Sequence, residues 1–116
     1  MEPIFAAFRN SMRGLRLAAK SERAVRQELM ILVLAVPGAV LLSQEIWVRV
    51  ALIGTVLATL TVELLNTALE KLCDHVTPQH HPMIGAIKDM GSAAVLCALL
   101  FSGLIWGAAL LQALGF

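Results

Sequence analysis

Glu63, Asn66, Glu70 and Asp74 follow one another at steps of three, four and four residues inside an otherwise apolar stretch. On a helix this spacing puts them at about 0°, −60°, −20° and +20°, a single stripe of oxygen-bearing side chains. An ionisable group inside a membrane span costs about 2.5–3.5 kcal/mol or more at the centre and less near the surface, so a retained stripe marks a functional site. Lys88 and Asp89 stand just before a second apolar stretch, and Glu22 and Glu28 just before a third. Carboxylates and an amide, with no imidazole or thiol at fixed helical spacing, suit a hard cation such as Mg²⁺, which keeps several waters and shares its ligands with substrate phosphates. A lysine neutralises the same phosphates as a point charge. Phosphoryl transfer then needs positioning and a carboxylate to take the proton of the attacking hydroxyl. The stripe alone leaves open whether Glu63 or Glu70 is that base. Glu63 is the deeper, nearer a lipid hydroxyl, and Glu70 the shallower, nearer an aqueous nucleotide.

Composition says what kind of element must hold these groups. Of 116 residues, 59% are hydrophobic and 15% charged, with a mean hydropathy of +0.81. Soluble domains run nearer about 45–50% apolar and 25% charged, and a soluble chain of this length would lack polar residues to cover its outside. Disorder is excluded for the same reason. Met90 to Phe116 runs 27 residues without a charge, and at about 1.5 Å per residue it exceeds the roughly 30 Å hydrocarbon core. A soluble bundle has no use for such a helix. The predicted fold is therefore all-α and membrane-integral, a single domain with spans over 29–47, 48–72 and 90–114 and a loop over 73–87. Pro37-Gly38 is expected to kink the first span, which membrane helices tolerate. The first apolar run begins only at Leu29, so no cleaved signal peptide is expected.

Residues 1–26 follow another pattern. Ile4, Phe8, Met12, Leu15 and Ala19 fall within about 80° on a helical wheel, with Arg9, Arg13, Arg16 and Lys20 on the flank and far side. This reads as a basic amphipathic surface helix whose cations reach lipid phosphates. Six of the nine Lys and Arg residues precede the first span, and Lys71 and Lys88 flank the second loop. Positive charge marks the cytoplasmic side, so the N-terminus and the 73–87 loop are expected inside and the C-terminus outside. A small transporter or non-catalytic membrane subunit is the rival of a different class. A transporter needs polar groups across the whole membrane, and the outer halves offer only Thr55, Thr59, Ser102 and Gln112. No nucleic-acid partner is expected. Cys73 and Cys97 stand alone, with no CxxC spacing.

Two longer motifs carry a resemblance. Glu63-Leu64-Leu65-Asn66-Thr67-Ala68-Leu69-Glu70 with Asp74, and Lys88-Asp89-Met90-Gly91-Ser92-Ala93-Ala94-Val95, resemble the signature of the small integral-membrane bacterial diacylglycerol kinases, a family with an undecaprenol kinase branch. Gly14-Leu15-Arg16 and Glu22-Arg23-Ala24-Val25-Arg26-Gln27-Glu28 resemble its N-terminal motifs, so the likeness spans nearly the whole chain. The resemblance implies a homotrimer in the bacterial inner membrane, with sites shared between subunits, that moves the γ-phosphate of MgATP to 1,2-diacylglycerol. By matching position, Glu63 is the implied base, and Glu22 and Glu70 the implied ligands of the metal bridging ATP's phosphates. Asn66, His81, Lys88 and Asp89, with Glu22 and Glu70, are the implied ATP contacts. Arg16, Arg26, Gln27, Glu28, Glu63 and Ser92 are implied along the lipid headgroup path. Asn10 and Met12 depart from the family, which carries aromatics there.

Overall fold

The computed structural model describes residues 1–77 and 79–116; Pro78, within the expected second loop, lies outside the described residues. Four helices follow in chain order: α1 (Glu2–Ser21), α2 (Arg23–Leu42), α3 (Ile46–Val76) and α4 (Pro82–Ala113). α2, α3 and α4 are each long and apolar enough to cross a membrane. α3 is central, with α2 and α4 packed along it and α1 resting on α2 and α3. The molecule measures 53 × 41 × 21 Å, so the helices lie side by side in a thin slab.

The breaks between helices differ from the sequence reading, each for a local reason. α1 stops at Ser21 rather than continuing to 26, because Glu22 is extended (φ −124°, ψ 119°). Arg26 then donates from Nη1 to the carbonyls of Ala19 (2.8 Å) and Lys20 (3.1 Å), satisfying the end of α1 from inside α2. The turn after α2 falls at residues 43–45, so Ile46 and Trp47 open α3 instead of closing the first span. Ser43 Oγ accepts from the Glu45 amide at 3.1 Å, and Arg49 donates to the carbonyls of Ser43 (2.6 Å) and Val40 (3.2 Å). A cation placed at a helix C-terminus also complements its dipole. The second loop is shorter than 73–87, because α3 continues to Val76 and α4 begins at Pro82. Proline suits the first helical position, and the His81 Nδ1 caps the helix by accepting from the Met83 amide at 3.1 Å.

Two buried clusters hold the slab together. At the α1 end, Ala18, Val25 and Leu60 pack with Leu29, Leu32 and Leu64. At the opposite end, Ala39, Leu52 and Ala109 pack with Val48, Ile105 and Trp106. Small residues let the backbones approach, as helix contacts in lipid require. The Trp106 ring lies over Gly38, where a methyl group would meet it at 3.4 Å, and its Nε1 donates to the Leu52 carbonyl at 3.0 Å. α2 runs through Pro37 without interruption. Between the clusters, Ser102 donates to Thr55 Oγ1 at 3.2 Å, and Thr59 to its own helix at the Thr55 carbonyl at 2.9 Å. Outward, large apolar side chains stand open, Leu41 at 87% and Leu104 at 73% exposure among them. In water each would forgo roughly 1.5–3 kcal/mol of burial; against acyl chains it forgoes little.

Trp106→Ala removes both the ring over Gly38 and the bond to Leu52. Reversible unfolding in mixed micelles should show a loss of about 3–5 kcal/mol, whereas Trp106→Phe, which keeps most of the ring but not the donor, should lose about 1 kcal/mol more than a conservative core exchange.

Candidate active site

The charged side chains gather at one end of the slab. Glu22 sits at the joint between α1 and α2, Glu28 in the second turn of α2, Glu63, Asn66, Glu70 and Asp74 along the second half of α3, and Lys88 and Asp89 near the start of α4. Glu22, Glu28, Glu63, Asn66, Glu70 and Lys88 are all half-buried. The Glu63 carboxylate feels the charges of Glu70 and Glu22, and Glu28 feels that of Glu63. Four carboxylates from α3 and the beginning of α2 thus lie in Coulombic reach, an arrangement that repels itself unless a cation joins it.

The cations present are few. Lys71 on α3 pairs with Glu22 at 3.6 Å and ties the α1–α2 joint to α3. Lys71 is exposed and Glu22 only half-buried, so the pair contributes at most about 1 kcal/mol. Lys88 Nζ donates to Asp74 Oδ1 at 2.6 Å and lies within electrostatic reach of Glu70. Asn66 Nδ2 donates to Glu70 Oε1 at 3.0 Å, fixing one metal-capable oxygen from the next turn of the same helix. Asn66 Oδ1 is buried with no partner among the described residues. It abuts Gly91 of α4, where a methyl group would overlap it and also crowd Leu69 at 3.3 Å. Glycine at 91 therefore lets α4 close over the Asn66 amide.

The other residues singled out from the sequence take no part in these contacts. Arg16, Gln27, Asp89 and Ser92 are exposed and make no side-chain hydrogen bond among the described residues. Arg26 is spent on the carbonyls of α1, and His81 on the cap of α4. Cys73 is buried and Cys97 exposed, both as free thiols. Two participants were not singled out as site residues: Asp74, the partner of Lys88, and Lys71, the partner of Glu22. Asp74 was visible as the last member of the α3 stripe. Lys71 lies off that stripe, and only the α1–α2 break brings Glu22 to it.

No group of three or more His, Cys, Asp or Glu side chains converges closely enough to hold a metal ion alone among the described residues. The donor set is nonetheless all oxygen. Mg²⁺ is usually held by one or two carboxylates and completed by substrate phosphates and water, so Glu22 and Glu70 suit an ion that arrives with a nucleotide.

Comparison with known proteins bears on this site. The profile of the family described as prokaryotic diacylglycerol kinase matches residues 9–110. The diacylglycerol kinase of Escherichia coli (strain K12) is 42% identical over 96 residues, covering 83% of this chain and 79% of that protein. The diacylglycerol kinase of Pseudomonas aeruginosa is 39% identical over 101 residues (87% and 82%), and that of Haemophilus influenzae 35% over 97 residues (84% and 82%).

The Asn66–Gly91 contact predicts a coupled pair. Gly91→Ala should destabilise the protein by about 1–3 kcal/mol through overpacking, but in an Asn66→Ala background, where the overlapping amide is gone, it should be neutral or stabilising through the better helix propensity of alanine. A double-mutant cycle of unfolding in micelles measures the difference.

Proposed function

The chain belongs to the prokaryotic diacylglycerol kinase family, and on that premise we propose that it is an ATP-dependent lipid kinase transferring the γ-phosphate of ATP to the free hydroxyl of 1,2-diacylglycerol. The products are phosphatidic acid and ADP, and the role is phospholipid recycling. The observation that carries this reading is that Glu22 and Glu70 lie within electrostatic reach of Glu63 at one end of three apolar helices.

Glu63 takes the proton of the lipid hydroxyl as its oxygen bonds to the γ-phosphorus. The bond from phosphorus to the β–γ bridging oxygen breaks, and ADP leaves with that electron pair. The depth of Glu63 along α3, below Glu70, supports its assignment as base. Glu22 and Glu70 would hold Mg²⁺ with the ATP phosphates, and the ion would supply charge neutralisation to the transferring phosphoryl group. Asn66 orients Glu70 through its amide, Lys88 meets phosphate, and Asp89 and His81 lie on the nucleotide side. Arg16, Gln27, Glu28 and Ser92 border the lipid headgroup path, and Arg26 fixes the joint that carries them.

Several features support the finer reading. Arg16, Gln27, Asp89 and Ser92 are exposed on a single protomer, which supports a homotrimer whose neighbouring subunits complete each site. The cationic N-terminus and the charged end of the slab support placing both on the cytoplasmic face of the inner membrane, with α1 as an amphipathic surface helix and the C-terminus in the periplasm.

Labelled ATP supplied with diacylglycerol and undecaprenol in separate detergent micelles should mark diacylglycerol; preferential labelling of the polyprenol would overturn the choice of acceptor. Glu63→Gln keeps the side-chain shape but cannot take a proton. Its turnover should fall by roughly 10²–10⁴-fold while its affinity for MgATP stays within about threefold of wild type; near-normal turnover would remove Glu63 as base.

A further inference from the structure

We infer that Asp74 is a positioning residue that holds the Lys88 ammonium beside the nucleotide phosphates and away from Glu70. This rests on the lipid-kinase reading above. Lys88 Nζ is hydrogen-bonded to Asp74 Oδ1 at 2.6 Å and lies within electrostatic reach of Glu70, one helical turn away on the same stripe of α3. Asp74 is well exposed, with its side chain 64% accessible, and Lys88 is 38% accessible. An ion pair this exposed adds little to stability, so its consequence lies in where it leaves the cation.

A lysine side chain has four rotatable bonds and can swing its ammonium between the carboxylates within its reach. Without Asp74, the carboxylate that remains in its field is Glu70. Lys88 would then neutralise an oxygen that the metal-bound nucleotide needs, while leaving its own place by the phosphates. Asn66 already fixes Glu70 Oε1 from the α3 side, so Asp74 and Asn66 act on the two components of one arrangement: the amide orients the metal ligand and Asp74 keeps the competing cation off it.

The test is Asp74→Asn, which preserves shape and removes the charge, measured against Asp74→Glu, which restores it. Asp74→Asn should raise the KM for MgATP by about tenfold and raise the Mg²⁺ concentration needed for half-maximal rate, with kcat within about threefold of wild type and KM for diacylglycerol unchanged. Asp74→Glu should return the MgATP KM to within about threefold of wild type. In a Lys88→Met background the same Asp74→Asn exchange should add no further loss of MgATP affinity, measured by direct titration of binding. An unchanged MgATP KM in Asp74→Asn, or equal loss in kcat and both KM values, would overturn the inference, as would additive losses in the double variant. Wild-type turnover on diacylglycerol reports separately on the reaction: a wild type that binds MgATP but phosphorylates no lipid sinks the proposed function, while the ratio of variant to wild-type affinity still decides the role of Asp74.

Discussion

Ionised groups in a chain that is otherwise solvated by lipid must either reach water or find each other, and this requirement shapes the molecule. Seven of the eight acidic residues stand outside the apolar stretches or near their ends, and Glu63, the deepest, is half-buried within the fields of Glu22 and Glu70. Mutual repulsion among carboxylates in a poorly solvated setting is unfavourable for the empty site and favourable for any cation that enters it. The same repulsion that makes the protomer's polar end costly thus favours a cation that joins it.

Helix ends meet the same constraint by a different device. Every helix leaves carbonyls unsatisfied at its C-terminus, and in or near lipid water cannot be relied on to take them. α1 and α2 solve this alike: an arginine three or four residues into the following helix turns back to donate to the preceding helix's last carbonyls, Arg26 for α1 and Arg49 for α2. Each guanidinium both ends one helix and fixes its angle to the next. Glu22 lies in the joint that Arg26 closes.

Much of this was legible in the sequence, for reasons specific to each part. The three apolar helices follow from uncharged runs that no water-soluble packing explains, and the α3 stripe follows from spacing alone, since a 3.6-residue period places residues 63, 66, 70 and 74 on one face whatever surrounds them. The joint at Glu22 was not legible. Neither glycine nor proline marks it, Ser21 instead bonds back to the Leu17 carbonyl, and the break depends on a tertiary bond from Arg26. The length of the second loop was misjudged because polarity was equated with loop: Asp74 and His75 are polar but helical. The pairing of Lys88 with Asp74 and of Glu22 with Lys71 was not legible, because ion pairs between helices depend on rotation and depth, which a single chain's periodicity does not specify.

The contrast between the two ends of the slab argues about chemistry as well as placement. A carrier must offer solvated polar groups along its whole path. Here the hydroxyls and the indole between Glu63 and the far end are consumed by the helices themselves: Thr55 and Thr59 donate to carbonyls of α3 one turn back, Ser102 donates to Thr55, and Trp106 donates to Leu52. With Thr55 and Thr59 buried, no hydroxyl in that region is left to hand an ion onward. Such bonds in lipid are worth about 0.6 kcal/mol on average, enough to set helix register and too committed to line a pathway. The concentration of uncommitted oxygen at one end, with the other end closed by packing, is what a reaction at a single membrane surface requires and what passage through the membrane would forbid.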